Sequence, residues 1–118
     1  MKDIVIKRIY DPYDRADGYR VLIDKLWPRG IKKENAHIDY WAKELTPSTK
    51  IREEFHHGDD TWEKFQHDYL AELKANEAVD AFLSQIHGKP KTTLLYGAKN
   101  PTHNHAVILR DFLKKRAK

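Results

Sequence analysis

The stretch Gly18-Tyr19-Arg20-Val21-Leu22-Ile23-Asp24-Lys25-Leu26-Trp27-Pro28-Arg29-Gly30 (GYRVLIDKLWPRG) decides the fold. Its centre, Val21, Leu22 and Ile23, is apolar without a break. A strand with one wet face alternates, whereas an uninterrupted run of this kind belongs to a strand covered on both faces. Charge follows at once in Asp24 and Lys25, and Pro28 and Gly30 stop regular structure.

Working outward, Ile4 to Tyr10 reads as a second strand, followed by the turn-rich run Asp11, Pro12, Tyr13, Asp14 and closed by Gly18. The link from Tyr10 to Arg20 is shorter than the dozen or so residues of a usual parallel crossover, which leaves the relative direction of these two strands open. Thr92 to Tyr96 is a third strand. Gly97 and Ala98 after it are small enough for another group to approach the backbone. Lys99, Asn100 and Pro101 form a turn, and Thr102 can cap a last helix whose apolar face is Ile108, Leu109, Phe112 and Leu113.

The middle of the chain reads as helical. Ile38, Trp41 and Leu45 have helical spacing. Thr46 with Pro47 predicts a helix start, and that helix runs through Ile51 and Phe55 to Gly58. Asp60 with Glu63 predicts the next start. Trp62, Phe65, Tyr69 and Leu73 form one helical face, and Asn76 can cap a helix carrying Val79, Phe82, Leu83 and Ile86 that ends at Gly88 and Pro90. The expectation is α/β: a single compact domain over residues 1–118, with a small, about three-stranded, mostly parallel sheet covered by about five helices.

Composition narrows the function classes. The 118 residues suit one domain with its own core, and 40% hydrophobic with 34% charged residues fits a globular protein and argues against a disordered one. No apolar run approaches a membrane span, and Met1, Lys2, Asp3 lead straight into a strand without a secretory signal, so no membrane and a cytoplasmic location are expected. The absence of cysteine removes disulfides, thiolate metal sites and cysteine nucleophiles. Net charge is uneven: +4 over residues 1–33, −6 over 34–90 and +6 over 91–118. If the basic ends meet, they form a positive region suited to an anionic partner; the tail Lys114, Lys115, Arg116, Lys118 reads more simply as solubilising charge.

Ligands in open α/β sheets collect beyond the carboxyl ends of parallel strands. One such end supplies Asp24, Lys25, Trp27 and Arg29. The other supplies Tyr96 and Lys99, then a helix start with Asn104 and His105. Arg29 and Lys99 are suited to hold a carboxylate or phosphate, with Lys25, Trp27, Tyr96 and Asn104 as further ligand contacts. His105 shares a helical face with Ile108, Leu109 and Phe112, so it points inward, where Asp24 can orient it as a general base. The bland reading is that Asp24, Arg29 and His105 satisfy one another as a polar network. Trp41, Trp62, Phe65 and Tyr69 read as packing. Glu44 and Glu72 are candidate partners for Arg20 or Arg52. Asp11, Asp14 and Asp17 lack the rest of a calcium loop. His56-His57 and His103-x-His105 match no standard zinc pattern, and neither a phosphate loop nor a nucleophile elbow is present. No cofactor and no metal is expected.

Four segments in order, Gly18 to Gly30, Trp41 to Ser48 (WAKELTPS), Trp62 to Leu73 (WEKFQHDYLAEL) and Thr93 to Leu109 (TLLYGAKNPTHNHAVIL), resemble the YeaO-like branch of the domain-of-unknown-function 488 family. The resemblance spans nearly the whole chain and implies a compact α/β domain; it implies no reaction. Lys25 and Asn100 depart from the arginine and aspartate more frequent there. Longer relatives carry Cys-His-Arg where Asn104, His105, Ala106 stand, so any thiol chemistry of theirs does not carry over. The function expected is binding of a small anionic molecule at the strand ends, with or without a reaction on it. The alternatives are a nucleic-acid-binding module, supported by a pI of about 9.2 but opposed by acidic long helices, and a protein-interaction domain without chemistry.

Overall fold

The uninterrupted Val21-Leu22-Ile23 run is explained by burial on both sides: all three residues are 0% exposed. In the computed structural model, which describes residues 3–56 and 61–117 apart from the side chain of His56, they lie in and just after a strand sandwiched between two apolar layers. The strands are β1 (Asp3–Arg8), β2 (Tyr19–Leu22), β3 (Tyr40–Trp41) and β4 (Lys91–Tyr96). The α-helices are α1 (Lys33–Ala36), α2 (Thr49–His56), α3 (Trp62–Ala75), α4 (Ala78–Ile86) and α5 (His105–Arg116). The sheet order is β1-β4-β2-β3, and every pairing is parallel.

Period-two alternation sorts side chains between the layers. Ile4, Val21, Ile23, Leu94 and Tyr96 face the helices, where Phe65, Tyr69, Leu73, Phe82 and Leu109 complete the larger core. Leu22 and Leu95 face the other way, onto Ile9, Trp27, Ile31, Ile38 and Trp41. That second face is covered mainly by loops and the short α1, so the helical cover is one-sided.

The direction left open between the first two strands resolves as parallel, because β4 inserts between them. The short link returns across β4 on the loop-covered face. Asp17 anchors it: its backbone oxygen accepts from Thr93 Oγ1 at 2.6 Å, and its carboxylate accepts from Lys7 Nζ at 2.9 Å and from the buried Arg20.

The sheet has four strands, one more than expected. Ile38, Trp41 and Leu45 do not share a helical face: Ile38 and Trp41 pack in the smaller cluster and Leu45 in the larger one. Tyr40 and Trp41 instead pair with Val21 and Leu22, Ala42 donates its N–H to the Leu22 carbonyl at 2.8 Å, and a 3-10 turn follows at Lys43–Leu45.

The caps also move. The helix predicted from Thr46 begins at Thr49, with Ser48 Oγ facing the Ile51 N–H at 3.5 Å. Its expected end at Gly58, His57, and the expected cap Asp60 lie outside the described residues; Thr61 caps α3 by accepting from the Lys64 N–H at 3.1 Å. Asn76 takes the Ala78 N–H at the start of α4, as its position predicts. The last helix is capped by Asn104 and not by Thr102, whose N–H and hydroxyl both donate to Asn100 Oδ1. Among the described residues, no helix is long and apolar enough to cross a membrane.

Candidate functional site

Parallel register places the ends of β2 and β4 side by side: Leu22 pairs with Leu95, and the Ile23 N–H donates to the Leu95 carbonyl at 3.0 Å. The next residues on each strand therefore meet. Asp24 Oδ2 accepts the Gly97 N–H at 2.8 Å, closing the sheet with a side chain where the ladder ends. The turn after Asp24 is pinned from β3, since Trp41 Nε1 donates to the Asp24 carbonyl at 2.6 Å. Trp27 crosses Trp41 edge-on at 5.4 Å and folds the following loop back by donating Nε1 to the Ile31 carbonyl at 2.6 Å.

His105, the first residue of α5, reaches under this junction as its helical face predicts. Its Nε2 lies 2.7 Å from the Ile23 carbonyl and 3.3 Å from Asp24 Oδ1. A carbonyl oxygen only accepts, so Nε2 carries a hydrogen. Asn104 beside it is buried and engaged at both ends of its amide: Oδ1 accepts the Val107 N–H at 3.1 Å and Nδ2 donates to the Asn100 carbonyl at 2.7 Å.

A cleft of about 320 Å³ opens over this junction. Of the residues expected at a site, Asp24, Lys25, Trp27, Arg29, Asn104 and His105 line it. Tyr96 and Lys99 do not. Tyr96 shares the inward alternation of Leu94 and is buried in the helix-side core, and Lys99 is exposed on the turn. Arg29 does not join the Asp24–His105 network: it is exposed at the rim, and among the described residues only its backbone carbonyl is engaged, by the Tyr10 hydroxyl at 2.9 Å. Lys25 Nζ has Thr49 Oγ1 at 3.4 Å.

Several contributors escape a reading of the chain alone. Arg8, at the end of β1, donates Nε to the Ala98 carbonyl at 2.9 Å and Nη2 to the Gly97 carbonyl at 3.0 Å, and its guanidinium lies 4.9 Å from the Tyr10 ring centre. The strand-end rule that selects Asp24 selects Arg8 equally once β1 is known to run parallel beside β4. The far wall comes from the helical layer: Pro47, Phe55, Phe65 and Arg52. Glu72, a candidate partner for Arg52, accepts from the Ser48 N–H at 2.9 Å, and Glu44 accepts from the Tyr40 hydroxyl. Arg20 pairs with Asp17. Arg52 is left with a buried Nε that has no hydrogen-bond partner among the described residues. Tyr10 and Leu26, 43% and 69% exposed, add apolar surface to the cleft's lining.

Among the described residues, the cleft thus combines three cationic side chains, one carboxylate already engaged by a peptide N–H, and an apolar floor and wall. Among the described residues, no cluster of three or more histidine, aspartate or glutamate side chains is suited to hold a metal ion.

Comparison with known proteins agrees with the motif order. Over residues 3–118 the chain matches the family model described as "Inactive DUF488-N3 subclade". It is 49% identical over 112 residues to the uncharacterized protein YeaO of Escherichia coli (strain K12), covering 95% of this chain and 97% of that one. It is 32% identical over 111 residues to the uncharacterized protein Rv3073c of Mycobacterium tuberculosis (strain H37Rv), covering 94% and 93%. No solved structure matches the chain. The chain is a YeaO-like member of the DUF488 family.

Proposed function

We infer that the protein binds a small organic anion in the cleft at the carboxyl ends of β2 and β4, without acting chemically on it. The observation that carries this reading is the charge imbalance at the cleft: among the described residues, Lys25, Arg29 and Arg52 face a single carboxylate, Asp24, whose Oδ2 already accepts the Gly97 N–H. Cations held beside apolar surface with no carboxylate of their own among the described residues are suited to an anion. Binding without turnover is favoured by the state of the two groups best placed for proton transfer. Asp24 and the Nε2 hydrogen of His105 are both occupied inside the protein, by the Gly97 N–H and the Ile23 carbonyl. The description of the matching subclade as inactive points the same way.

The test is calorimetric titration of the protein with small carboxylates and phosphates at low ionic strength, repeated on Arg29→Ala. Saturable binding to the wild type, lost in Arg29→Ala while its melting temperature is kept, supports the reading. Unfolding of Arg29→Ala makes that residue structural, and no binding of any anion to the wild type removes the proposal.

A further inference from the structure

We propose that Arg52 is the anchoring cation of this cleft and that its ligand is a dianion with a flat apolar body, of the class of an aryl phosphate monoester. The proposal rests on the cleft being a binding site and adds the residue and the ligand chemistry.

Arg52 reaches the cleft from α2, on the helical side, opposite the loop that carries Arg29. Its Nε is shielded from solvent and lacks a hydrogen-bond partner among the described residues. A buried donor on a charged group without an acceptor is unfavourable, and native proteins leave few such groups. The two glutamates expected as its partners are engaged elsewhere: Glu72 by the Ser48 N–H and Glu44 by the Tyr40 hydroxyl. Arg52 also lines the cleft wall, where an anion would answer the charge that its unpartnered Nε leaves without an acceptor, and a guanidinium offers a phosphate two parallel hydrogen bonds.

Charge sets the valence. Among the described residues, the three cations lining the cleft exceed the one carboxylate by two. A phosphate monoester carries about −1.5 to −2 near neutral pH, which matches that excess; a carboxylate leaves it half compensated. The walls set the rest of the molecule. Phe55, Phe65, Trp27 and Pro47 line the cleft, together with the exposed Leu26, and together they offer apolar surface that inorganic phosphate would leave unused. At about 320 Å³ the space suits one ring and its phosphate.

The probes are phenyl phosphate, inorganic phosphate and benzoate. In wild-type protein, the arginine Nε–Hε resonances are followed during titration, with Arg52 assigned by its loss in Arg52→Lys. A saturable shift of the Arg52 resonance with phenyl phosphate is expected. Arg52→Lys, which keeps the charge and removes Nε, should bind phenyl phosphate roughly tenfold more weakly or worse. Inorganic phosphate and benzoate should each bind more weakly than phenyl phosphate. An unmoved Arg52 resonance, or unchanged affinity in Arg52→Lys while Arg29→Ala loses binding, overturns the role of Arg52 and leaves the cleft standing. Benzoate binding as tightly as phenyl phosphate overturns the dianion. Silence of all three probes against the wild type overturns the cleft itself. Should Arg52→Lys fail to fold, the wild-type shift alone decides, with its assignment made through the backbone of α2.

Discussion

Gly97 gives its backbone N–H to the carboxylate of Asp24 at 2.8 Å across 73 positions of sequence, and the absence of a side chain on Gly97 is what lets the two meet. A Cβ at Gly97 would lie 2.8 Å from that same Oδ2. The contact is with the end of a short side chain, so the carboxylate has to swing away. Gly97→Ala should therefore lose one charge-assisted hydrogen bond, about 1–3 kcal/mol. Asp24→Ala removes the same bond, so the two substitutions should be less than additive. Urea unfolding of both single variants and the double variant measures the coupling; full additivity would mean that the bond contributes nothing.

Gly18 meets harder atoms. It sits at φ 70°, and a Cβ there would be 2.5 Å from the Lys91 carbonyl oxygen, which is backbone held in β4. Neither partner can turn aside, and the conformation itself suits only glycine. Gly18→Ala should cost about 3 kcal/mol, the sum of strain and overpacking. The check is a fall in urea midpoint with an unchanged slope.

Both glycines are visible in the sequence, and their reasons differ in how far they can be read from it. Gly97 follows a strand and precedes a helix start, a pattern that already implies a close approach. The double-sided burial of Val21, Leu22 and Ile23 is equally local, because three adjacent apolar residues cannot all face one way. What could not be read is which distant segments cover them. Tyr40 and Trp41 form a strand only because the edge of β2 is free to receive them, and two residues carry no period of their own. The meeting of residues 24–29 with 96–105 follows from strand-end logic once the order is known. Arg52 does not: its place in the cleft depends on how α2 packs, and nothing in residues 49–56 encodes that. Tyr96 and Lys99 fail as site residues for a geometric reason, since alternation turns Tyr96 into the core and the turn carries Lys99 outward.

Asp17 links stability to pH. Burial alone would raise its carboxyl, but hydrogen bonds from Lys7, the Asp14 backbone and Arg20 outweigh that and hold it below its ordinary value of 3.8. A lowered folded value means that the stabilisation is fully present above about pH 4 and is lost as pH falls through the folded value. Asp17→Asn should flatten this acid-side loss. It should also cost about 3 kcal/mol at neutral pH, because Arg20, 2% exposed, loses its carboxylate partner and keeps only the His37 and Ala36 carbonyls. Urea midpoints between pH 2 and 7 for both proteins (a range of roughly five units chosen to span the carboxylate transition) give the result; parallel curves would assign the acid sensitivity elsewhere.

His105 separates the structural from the chemical reading of the cleft. Its Nε2 hydrogen serves the Ile23 carbonyl, whose residue is 0% exposed, and among the described residues no other donor replaces it there. His105→Leu should leave that acceptor unsatisfied and lower stability by about 1–3 kcal/mol. Because the bonded nitrogen faces the backbone and not the open side of the cleft, anion affinity should stay within about threefold, under 1 kcal/mol. Calorimetry at a temperature where both proteins are fully folded keeps the two effects apart. A loss of binding by orders of magnitude with stability unchanged would reverse the assignment: the histidine would then serve the ligand, and Asp24 behind it would regain the role of orienting a base.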